Sequence, residues 1–224
     1  MFSHKISRRK NIKKGKEVYK YDKIYSREGT MRKNGIFFTW EEANDKSKKA
    51  WRAYGHSVEG KGYIQYIIKL QPRNVIDIGC GGNELCQILK KEGISECIGV
   101  DCSCPDADII ASAHDIPVED KSYDLLLSFD CMEHIPKEEV LDSFKEFARI
   151  SNRMLVKVCL VRTGTRIDGE ALHTCLETSD WWLTQANIYF KNIKSELIQP
   201  KEFEDPPSFA RKSYKHVIIY GESK

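Results

Sequence analysis

A glycine-rich segment, Asp77-Ile78-Gly79-Cys80-Gly81-Gly82-Asn83, carries the strongest chemical signal in the sequence. It overlaps the end of the apolar run Asn74–Ile78 and precedes a helical pattern at Glu84–Glu92. Glycines at such a junction let the main chain turn sharply and let a ligand approach the backbone. The start of the following helix presents free N–H groups to a polar or negative group. The segment therefore predicts a ligand-binding turn between a strand and a helix.

Two common phosphate-binding motifs do not fit this turn. A P-loop needs GxxxxGK[ST], and no Lys-Ser/Thr pair follows the glycines. A dinucleotide fingerprint needs a third glycine where this chain has Glu84, whose carboxylate would repel a pyrophosphate. Asp77, just before the turn, could accept hydrogen bonds from a cationic amino group. The segment favours an amino acid joined to a nucleoside without a phosphate bridge.

Acidic residues also follow the next two predicted strands. Asp101 ends the run Cys97–Val100, at about the 20-residue spacing expected of a ribose-binding acid. Asp115 follows the short run Asp108–Ala111 and could accept a hydrogen bond from an adenine amino group, while Ile116 packs on the ring. Three carboxylates at three successive strand ends favour one shared nucleoside site.

The elements around these residues alternate between strand and helix. The apolar runs Tyr123–Phe129 and Met154–Val161 show no polar alternation, which is typical of strands covered on both faces of a parallel sheet. Between them, Lys137–Ile150 has apolar residues at helical spacing. This order predicts an α/β fold with a Rossmann-like, doubly wound sheet.

Further elements are predicted on either side of this core. Two strands are predicted near the C-terminus, at Ser195–Gln199 and His216–Tyr220. The segment between them contains Pro206-Pro207 and is predicted as a loop, so the two strands are expected to form a terminal hairpin. Helices are predicted from the capping box Thr39–Glu42, at Tyr63–Leu70 and at Asp180–Tyr189.

As an ordered set, these motifs resemble the class I S-adenosylmethionine-dependent methyltransferases. The matching residues are Asp77–Gly82, Asp101, Asp115 and Tyr123–His134 (YDLLLSFDCMEH). The part Phe129–Pro136 (FDCMEHIP) is most similar to the small-molecule branch, which methylates quinones, sugars and lipids. The resemblance is strong over residues 60–160 and weak beyond. It implies a seven-stranded, mostly parallel sheet with an antiparallel last strand, with S-adenosylmethionine as cofactor and S-adenosylhomocysteine as product.

The resemblance also implies roles for individual residues. Asp77 would face the methionine amino group and Asp101 would hold the ribose. Asn83 departs from the third glycine of many members, but asparagine tolerates left-handed geometry, so binding is expected to survive. The implied cofactor contacts are, in full, Asp77, Ile78, Gly79, Cys80, Gly81, Asp101, Cys102, His114, Asp115, Ile116, Ser128 and Phe129.

Methyl transfer from a sulfonium is an in-line displacement that needs alignment and a shielded site. A general base is needed only when the acceptor is a poorly acidic hydroxyl. The candidates are Asp130, Glu133 and His134, which follow the fourth strand, and His173. Glu133 and His134 occur in the family regardless of substrate, which favours a mainly structural role for both.

Three residues in the second half are candidates for contact with the acceptor. Arg162 and Arg166 follow the fifth strand and could pair with a phosphate or carboxylate, or could lie on the surface. Trp181 could form a pocket wall for a planar acceptor, or pack in the core.

The eight cysteines include no CxxC pair. Their spacing therefore predicts neither a metal site nor a disulfide framework, and it favours free thiols in the cytoplasm. No run of about 18 apolar residues occurs, so no membrane span is predicted, and the N-terminus lacks a secretory apolar region.

Charge is concentrated at the N-terminus. Residues 1–33 hold twelve Lys or Arg against three Asp or Glu, whereas the rest of the chain holds 24 against 30. Residues 1–35 are predicted as a basic extension and 36–224 as one methyltransferase domain. That domain divides into N-terminal helices (36–71), a cofactor-binding half (72–160) and a substrate-side half with the terminal hairpin (161–224).

Three functions stay open from the sequence. The leading one is methyl transfer to a small-molecule acceptor such as a sugar, lipid or quinone. A second is methylation of nucleic acid held by residues 1–33, although no Asn/Asp-Pro-Pro-Tyr signature follows the fourth strand. A third is a binding module that keeps the fold without catalysis.

Overall fold

A computed structural model describes residues 30–33, 36–39, 59–102, 104, 106–162, 166–167, 170–171, 173–198 and 216–224. Of the helix predicted from the Thr39–Glu42 capping box, only Thr39 is described, as the last residue of a strand. Most of the basic extension lies outside the described residues. Within the part of the chain that is described, no helix is long and apolar enough to cross a membrane.

The described elements follow the predicted alternation of strand and helix. The strands are β1 (Thr30–Lys33), β2 (Ile36–Thr39), β3 (Asn74–Ile78), β4 (Glu96–Asp101), β5 (Ile109–Ile110), β6 (Tyr123–Phe129), β7 (Ser151–Cys159), β8 (Arg166–Ile167), β9 (Glu170–Ala171), β10 (Phe190–Ile198) and β11 (His216–Ser223). The α-helices are α1 (Ile64–Lys69), α2 (Glu84–Lys91), α3 (Val140–Ile150) and α4 (Ser179–Tyr189). Short 3-10 helices cover Glu59–Tyr63, Met132–His134 and Lys137–Glu139.

Seven strands form the central sheet in the order β10-β11-β7-β6-β3-β4-β5. The pairs β3–β4, β3–β6, β4–β5 and β6–β7 are parallel, whereas β11 runs antiparallel to both of its neighbours. The predicted α/β sheet with an antiparallel last strand is confirmed. Because parallel strands share one carboxyl edge, the segments after β3, β4, β5 and β6 meet there.

Burial on both faces explains why the central strands show no polar alternation. Val75, Leu125 and Leu127 face a core that includes Leu85 and Leu89 of α2. Their strand neighbours Ile76 and Leu126 face the opposite core, which contains residues of α3 and α4 such as Phe144, Phe147 and Trp182. Successive side chains point to opposite faces, so two apolar faces require a continuous apolar run.

Two short hairpins were not predicted. Strand β1 pairs antiparallel with β2, and β8 pairs antiparallel with β9. Neither pair has a long apolar run, so hydrophobic periodicity gives no signal for them.

Candidate active site at the carboxyl edge of the sheet

The turn after β3 is tightly built and needs its glycines. Gly79 and Gly81 have φ values of 76° and 50°, in the left-handed region that favours glycine. The N–H groups of Gly79 and Cys80 both donate to the Val100 carbonyl, at 2.8 and 3.1 Å, which ties the turn to the end of β4. A Cβ on Gly79 would lie 2.5 Å from the Cys131 sulfur. The segment after β6 therefore packs directly on the glycine turn.

Asn83 lies where many members of the family have a third glycine. It caps α2 with φ 61° and ψ 22°, so asparagine adopts the left-handed geometry as predicted. Its side-chain amide donates to the Asp108 carboxylate at 2.9 Å, and the same carboxylate oxygen accepts the N–H of Gly99 at 2.9 Å. The asparagine thus links the turn to β4 and to the segment before β5.

Asp77 and Asp101 form an acidic pair at the turn. Asp77 is 3% exposed, and no hydrogen bond from a described residue contributes to the pKa of its carboxyl. Burial, followed by the negative charge of Asp101, raises the pKa of Asp77 to about 8. The Asp101 carboxylate accepts the N–H of Gly81 at 3.2 Å and of Cys104 at 2.9 Å. The structure therefore brings these two predicted acids together around the glycines.

These groups fit S-adenosylmethionine on three counts. A buried carboxyl without a cation beside it complements an ammonium group. The Asp101 carboxylate, which accepts the N–H groups of Gly81 and Cys104, is also the type of acceptor that ribose hydroxyls require. The absence of a side chain at Gly79 makes room for Cys131, and its absence at Gly81 lets a ligand approach the backbone closely.

The segment after β5 is clamped to α3. Glu146 accepts the N–H of Ile116 at 2.8 Å, and Arg149 donates to the carbonyls of Ile116 and Val118 at 3.0 and 2.9 Å. His114 pairs with Glu139, with 3.3 Å between the ring Nδ1 and a carboxylate oxygen. The loop that carries the predicted adenine contacts is held from the helix side.

Not all predicted cofactor contacts have an accessible side chain. Ile78, Ile116 and Ser128 are at most 2% exposed, so contacts from these three would have to come mainly from the backbone. Asp115 is exposed, and Cys80 and Cys102 are half-buried.

Phe129 marks the end of β6 at this edge. Its ring stacks on Tyr63, with 5.4 Å between ring centroids and 20° between planes. A Cβ on Gly60 would lie 2.9 Å from the Phe129 ring. The 3-10 helix before α1 therefore packs against the site, a contact that the sequence analysis did not identify.

Asp130 has strong partners next to the site. It has a left-handed φ of 50°, and its carboxylate accepts from the Lys157 ammonium at 3.0 Å. His216 of β11 lies 3.5 Å from the other carboxylate oxygen. Lys157 is 7% exposed, so Asp130 is the counterion of a buried lysine.

The fold brings His134 and His173 together, although they are far apart in the sequence. Their rings meet edge to face, with 4.8 Å between centroids. The His173 Nδ1 lies 2.6 Å from the Val161 carbonyl. Because a carbonyl only accepts, this contact assigns the proton to Nδ1 and leaves the lone pair on Nε2. Burial lowers the pKa of His173.

Glu133 lies beside these two rings and is fully buried. Burial, and then the charge of Asp130, raise the pKa of Glu133 well above its ordinary value. The backbone amides of Glu133 and Cys159 favour its charged form, but no described donor makes a well-formed hydrogen bond to either oxygen.

The predicted acceptor contacts are more peripheral. Arg162 is exposed, and for Arg166 only the backbone, in β8, is described. The Lys137 ammonium lies 5.2 Å from the centroid of the half-buried Trp181 ring. Trp182 is fully buried against Phe144, with 6.5 Å between ring centroids.

The sequence analysis missed the residues that support the site from a distance. Glu146 and Arg149 are three residues apart on α3 and form an ion pair of a kind that is common within helices. Their spacing in the sequence therefore does not indicate that they also bind a loop about 30 residues away. Lys157 is the one charged residue in the predicted buried strand Met154–Val161. A charge in such a run implies a buried counterion and could have been used as a signal.

Comparison with known proteins identifies the family. A model described as a methyltransferase domain matches residues 48–196. The curated ajmaline N-methyltransferase of Rauvolfia serpentina is 28% identical over 98 residues, which cover 36% of this chain and 33% of that protein. The match thus spans about a third of the curated relative.

Solved structures agree in fold. A Haemonchus contortus phosphoethanolamine N-methyltransferase, in complex with phosphomonomethylethanolamine and S-adenosylhomocysteine, has a TM-score of 0.60 at 15% identity, covering 81% of this chain and 58% of that one. A SAM-dependent methyltransferase from Archaeoglobus fulgidus has a TM-score of 0.57 at 16% identity, covering 79% and 99%. With the family model matching most of its length, the chain belongs to the S-adenosylmethionine-dependent methyltransferases of class I.

Proposed function

We propose that the protein transfers the methyl group of S-adenosylmethionine to a small-molecule acceptor. The observation that carries this proposal is the buried, uncompensated carboxyl of Asp77 beside Asp101 at the glycine turn. This arrangement suits a ligand that brings an ammonium group and a pair of hydroxyls. Membership of the methyltransferase family supports the same ligand.

Each part of the turn has a separate task in this proposal. Asp77 binds the ammonium group and Asp101 accepts the ribose hydroxyls. Gly79 lets the turn pack on Cys131, and Gly81 lets the ligand lie against the backbone. The loop after β5, held by Glu146 and Arg149, faces the adenine. When bound, S-adenosylmethionine supplies a methyl group already activated by its sulfonium, so the protein mainly aligns the acceptor and excludes water.

His134 and His173 are the best-placed groups to face the acceptor. They lie on the segments after β6 and β7, next to the turn through the contact of Cys131 with Gly79. The His173 lone pair on Nε2 can take a proton or bind a cation, whereas Asp130 is engaged by Lys157. We place Arg162, Arg166 and Trp181 on the acceptor side as further contacts.

The acceptor class is a small amine or hydroxyl compound. Two of the relatives have names that include a small-molecule acceptor, ajmaline in one case and phosphoethanolamine in the other. A sugar, lipid or quinone-like compound agrees with the similarity of Phe129–Pro136 to the small-molecule branch. We also propose that residues 36–224 act as one domain and that the basic extension is not required for the chemistry.

A transfer assay with a labelled methyl donor tests this function. The full chain is incubated with a fractionated metabolite extract, with total RNA or with duplex DNA, and the labelled product is located. We expect label in a low-molecular-weight fraction. Label only in nucleic acid would contradict the acceptor class, and tight cofactor binding without transfer to any acceptor would favour a non-catalytic module.

A further inference from the structure

Glu133, His134 and His173 form a cluster at the acceptor side of the cofactor edge, which we call the Glu-His-His cluster. One side-chain ligand atom from each residue lies within 4.8 Å of those of the other two. Glu133 and His134 are neighbours in the 3-10 helix after β6, and His173 follows β9. The segments are joined by hydrogen bonds from Thr174 and Cys175 N–H groups to the Glu133 carbonyl, at 2.9 and 3.0 Å.

The Glu133 carboxyl is buried without a described hydrogen bond that would offset the cost of removing it from water. It is 0% exposed, and neither carboxylate oxygen has a hydrogen-bond partner among the described residues. A buried carboxylate in that state costs several kcal/mol unless a cation compensates it. The positive charge of Lys157 acts on Glu133 and partly offsets the rise in its pKa, but the Lys157 ammonium forms its 3.0 Å ion pair with the Asp130 carboxylate. Protonation can neutralise the isolated carboxyl, whereas a cation that approaches from the side of the two imidazoles would bind its charged form.

His173 is oriented as a metal ligand would be. Its Nδ1–H donates to the Val161 carbonyl at 2.6 Å, which fixes the ring and leaves a lone pair on Nε2. A backbone carbonyl that accepts from the second ring nitrogen is the usual support for a metal-bound histidine. Thr174, the next residue, donates from its hydroxyl to the His134 carbonyl at 2.8 Å, which joins the two ligand-bearing segments.

We infer that the Glu-His-His cluster binds one divalent first-row transition-metal ion through Glu133, His134 and His173. Two imidazoles and one carboxylate are a ligand set that suits Zn²⁺, Fe²⁺ or Mn²⁺, and three protein ligands leave positions open for water or an oxygen of the acceptor. Ligands about 2.1 Å from such an ion lie about 3.4 Å apart. Binding would therefore draw the three side chains closer than they are in the structure.

The consequence for catalysis rests on the proposed function. With the ion bound, His173 acts as a ligand and not as a free base. The ion would lower the pKa of a coordinated acceptor hydroxyl and hold its oxygen next to the glycine turn. Metal binding itself stands on the three side chains and does not require that the protein transfer a methyl group.

Calorimetric titration of the full chain with Mn²⁺ or Zn²⁺, after treatment with a chelator, tests the site. We expect one ion per chain and at least about tenfold weaker binding in Glu133→Gln and His173→Asn, since loss of a supporting partner alone costs about 10- to 100-fold. Glu96→Gln is the matched control for Glu133→Gln, because Glu96 is exposed at the start of β4, away from the carboxyl edge, and its metal affinity should be unchanged. Equal affinity in the wild type and His173→Asn would overturn the inference.

A Co²⁺ spectrum of the wild type gives an answer even if a variant does not fold. Nitrogen and oxygen ligands produce visible d–d bands without the intense near-ultraviolet thiolate band that binding at any of the eight cysteines would add. A thiolate band, or no saturable binding below millimolar metal, would contradict the site. Neither outcome depends on S-adenosylhomocysteine binding, so a failure here is distinct from a failure of the proposed function.

Discussion

At the scale of single residues, the site is defined by groups held in states that are costly without a ligand. Asp77 is a buried carboxyl next to a second carboxylate, and its pKa is raised to about 8. Gly79 is pressed against the segment that carries the Glu-His-His cluster. Such states are concentrated at functional sites, because the ligand supplies the compensating interaction.

The raised pKa of Asp77 predicts a specific dependence of stability on pH. In the unfolded chain an aspartate has a pKa of about 3.9, so between about pH 4 and pH 8 the folded state holds a proton that the unfolded state has lost. Without ligand, this group therefore stabilises the protein fully below about pH 4. The stabilisation decreases as pH rises and is lost above about pH 8.

Denaturant unfolding of the wild type and Asp77→Asn at pH 5, 6, 7 and 8 measures this effect. The free energy of unfolding of the wild type should fall relative to the variant by up to about 1.4 kcal/mol per pH unit. The comparison removes the contribution of other buried acids such as Glu133, which both proteins contain. Parallel pH profiles would show that Asp77 is charged in the folded protein.

A comparison of alanine substitutions at Gly79 and Gly93 separates the cost of backbone strain from the cost of steric contact at the turn. Both have a left-handed φ, 76° and 101°, but a Cβ on Gly93 would meet nothing within 4 Å. Gly93→Ala should cost about 1–2 kcal/mol from strain alone. Gly79→Ala should cost more and should abolish S-adenosylhomocysteine binding, as measured by denaturant unfolding and calorimetry. Equal costs for the two would mean that Cys131 moves away freely.

At the scale of elements, α3 has two tasks. One face packs Phe144 and Phe147 into the core, and the other side holds the loop after β5 through Glu146 and Arg149. Arg149 also pairs with Asp120 at 2.6 Å, so a single guanidinium bridges the helix and the loop. We expect this clamp to set the position of the proposed adenine contacts.

Arg149→Ala tests the clamp. Losing the donated hydrogen bonds to Ile116, Val118 and Asp120 should destabilise the protein by about 2–3 kcal/mol. Amide hydrogen exchange should increase over residues 111–120 while the β3 and β6 amides stay protected. Arg73→Ala, which removes a pair between the exposed Arg73 and Asp124, should have a smaller effect on unfolding. Unchanged exchange in the loop would mean that other contacts hold it.

At the scale of the whole molecule, the structural features that could be predicted from the sequence are those that depend on a local pattern of residues. Tyr123–Phe129 and Asn74–Ile78 are strands with the predicted bounds, because each is a continuous apolar run between turn residues. The left-handed Asn83 and the antiparallel β11 also agree with prediction. Each of these features depends on a few consecutive residues or on the order of the elements along the chain.

What could not be predicted depends on contacts between distant segments. The family resemblance predicted a mainly structural role for Glu133, and only the fold places it beside His173, 40 residues later. The clamp on Ile116 comes from Glu146, 30 residues away. The division into an extension and one domain, the acceptor and the individual cofactor contacts stay predictions, because single-sequence patterns and fold similarity do not test them.

The central claim is that a nucleoside amino acid binds at the carboxyl edge through Asp77 and Asp101. Calorimetric titration of the full chain with S-adenosylhomocysteine, with Asp101→Ala and the exposed helix residue Asp142→Ala as a matched pair, tests it most directly. We expect one site per chain, about 1–3 kcal/mol weaker binding in Asp101→Ala and no change in Asp142→Ala. Equal affinity for the wild type and Asp101→Ala, with both folded, would contradict the account.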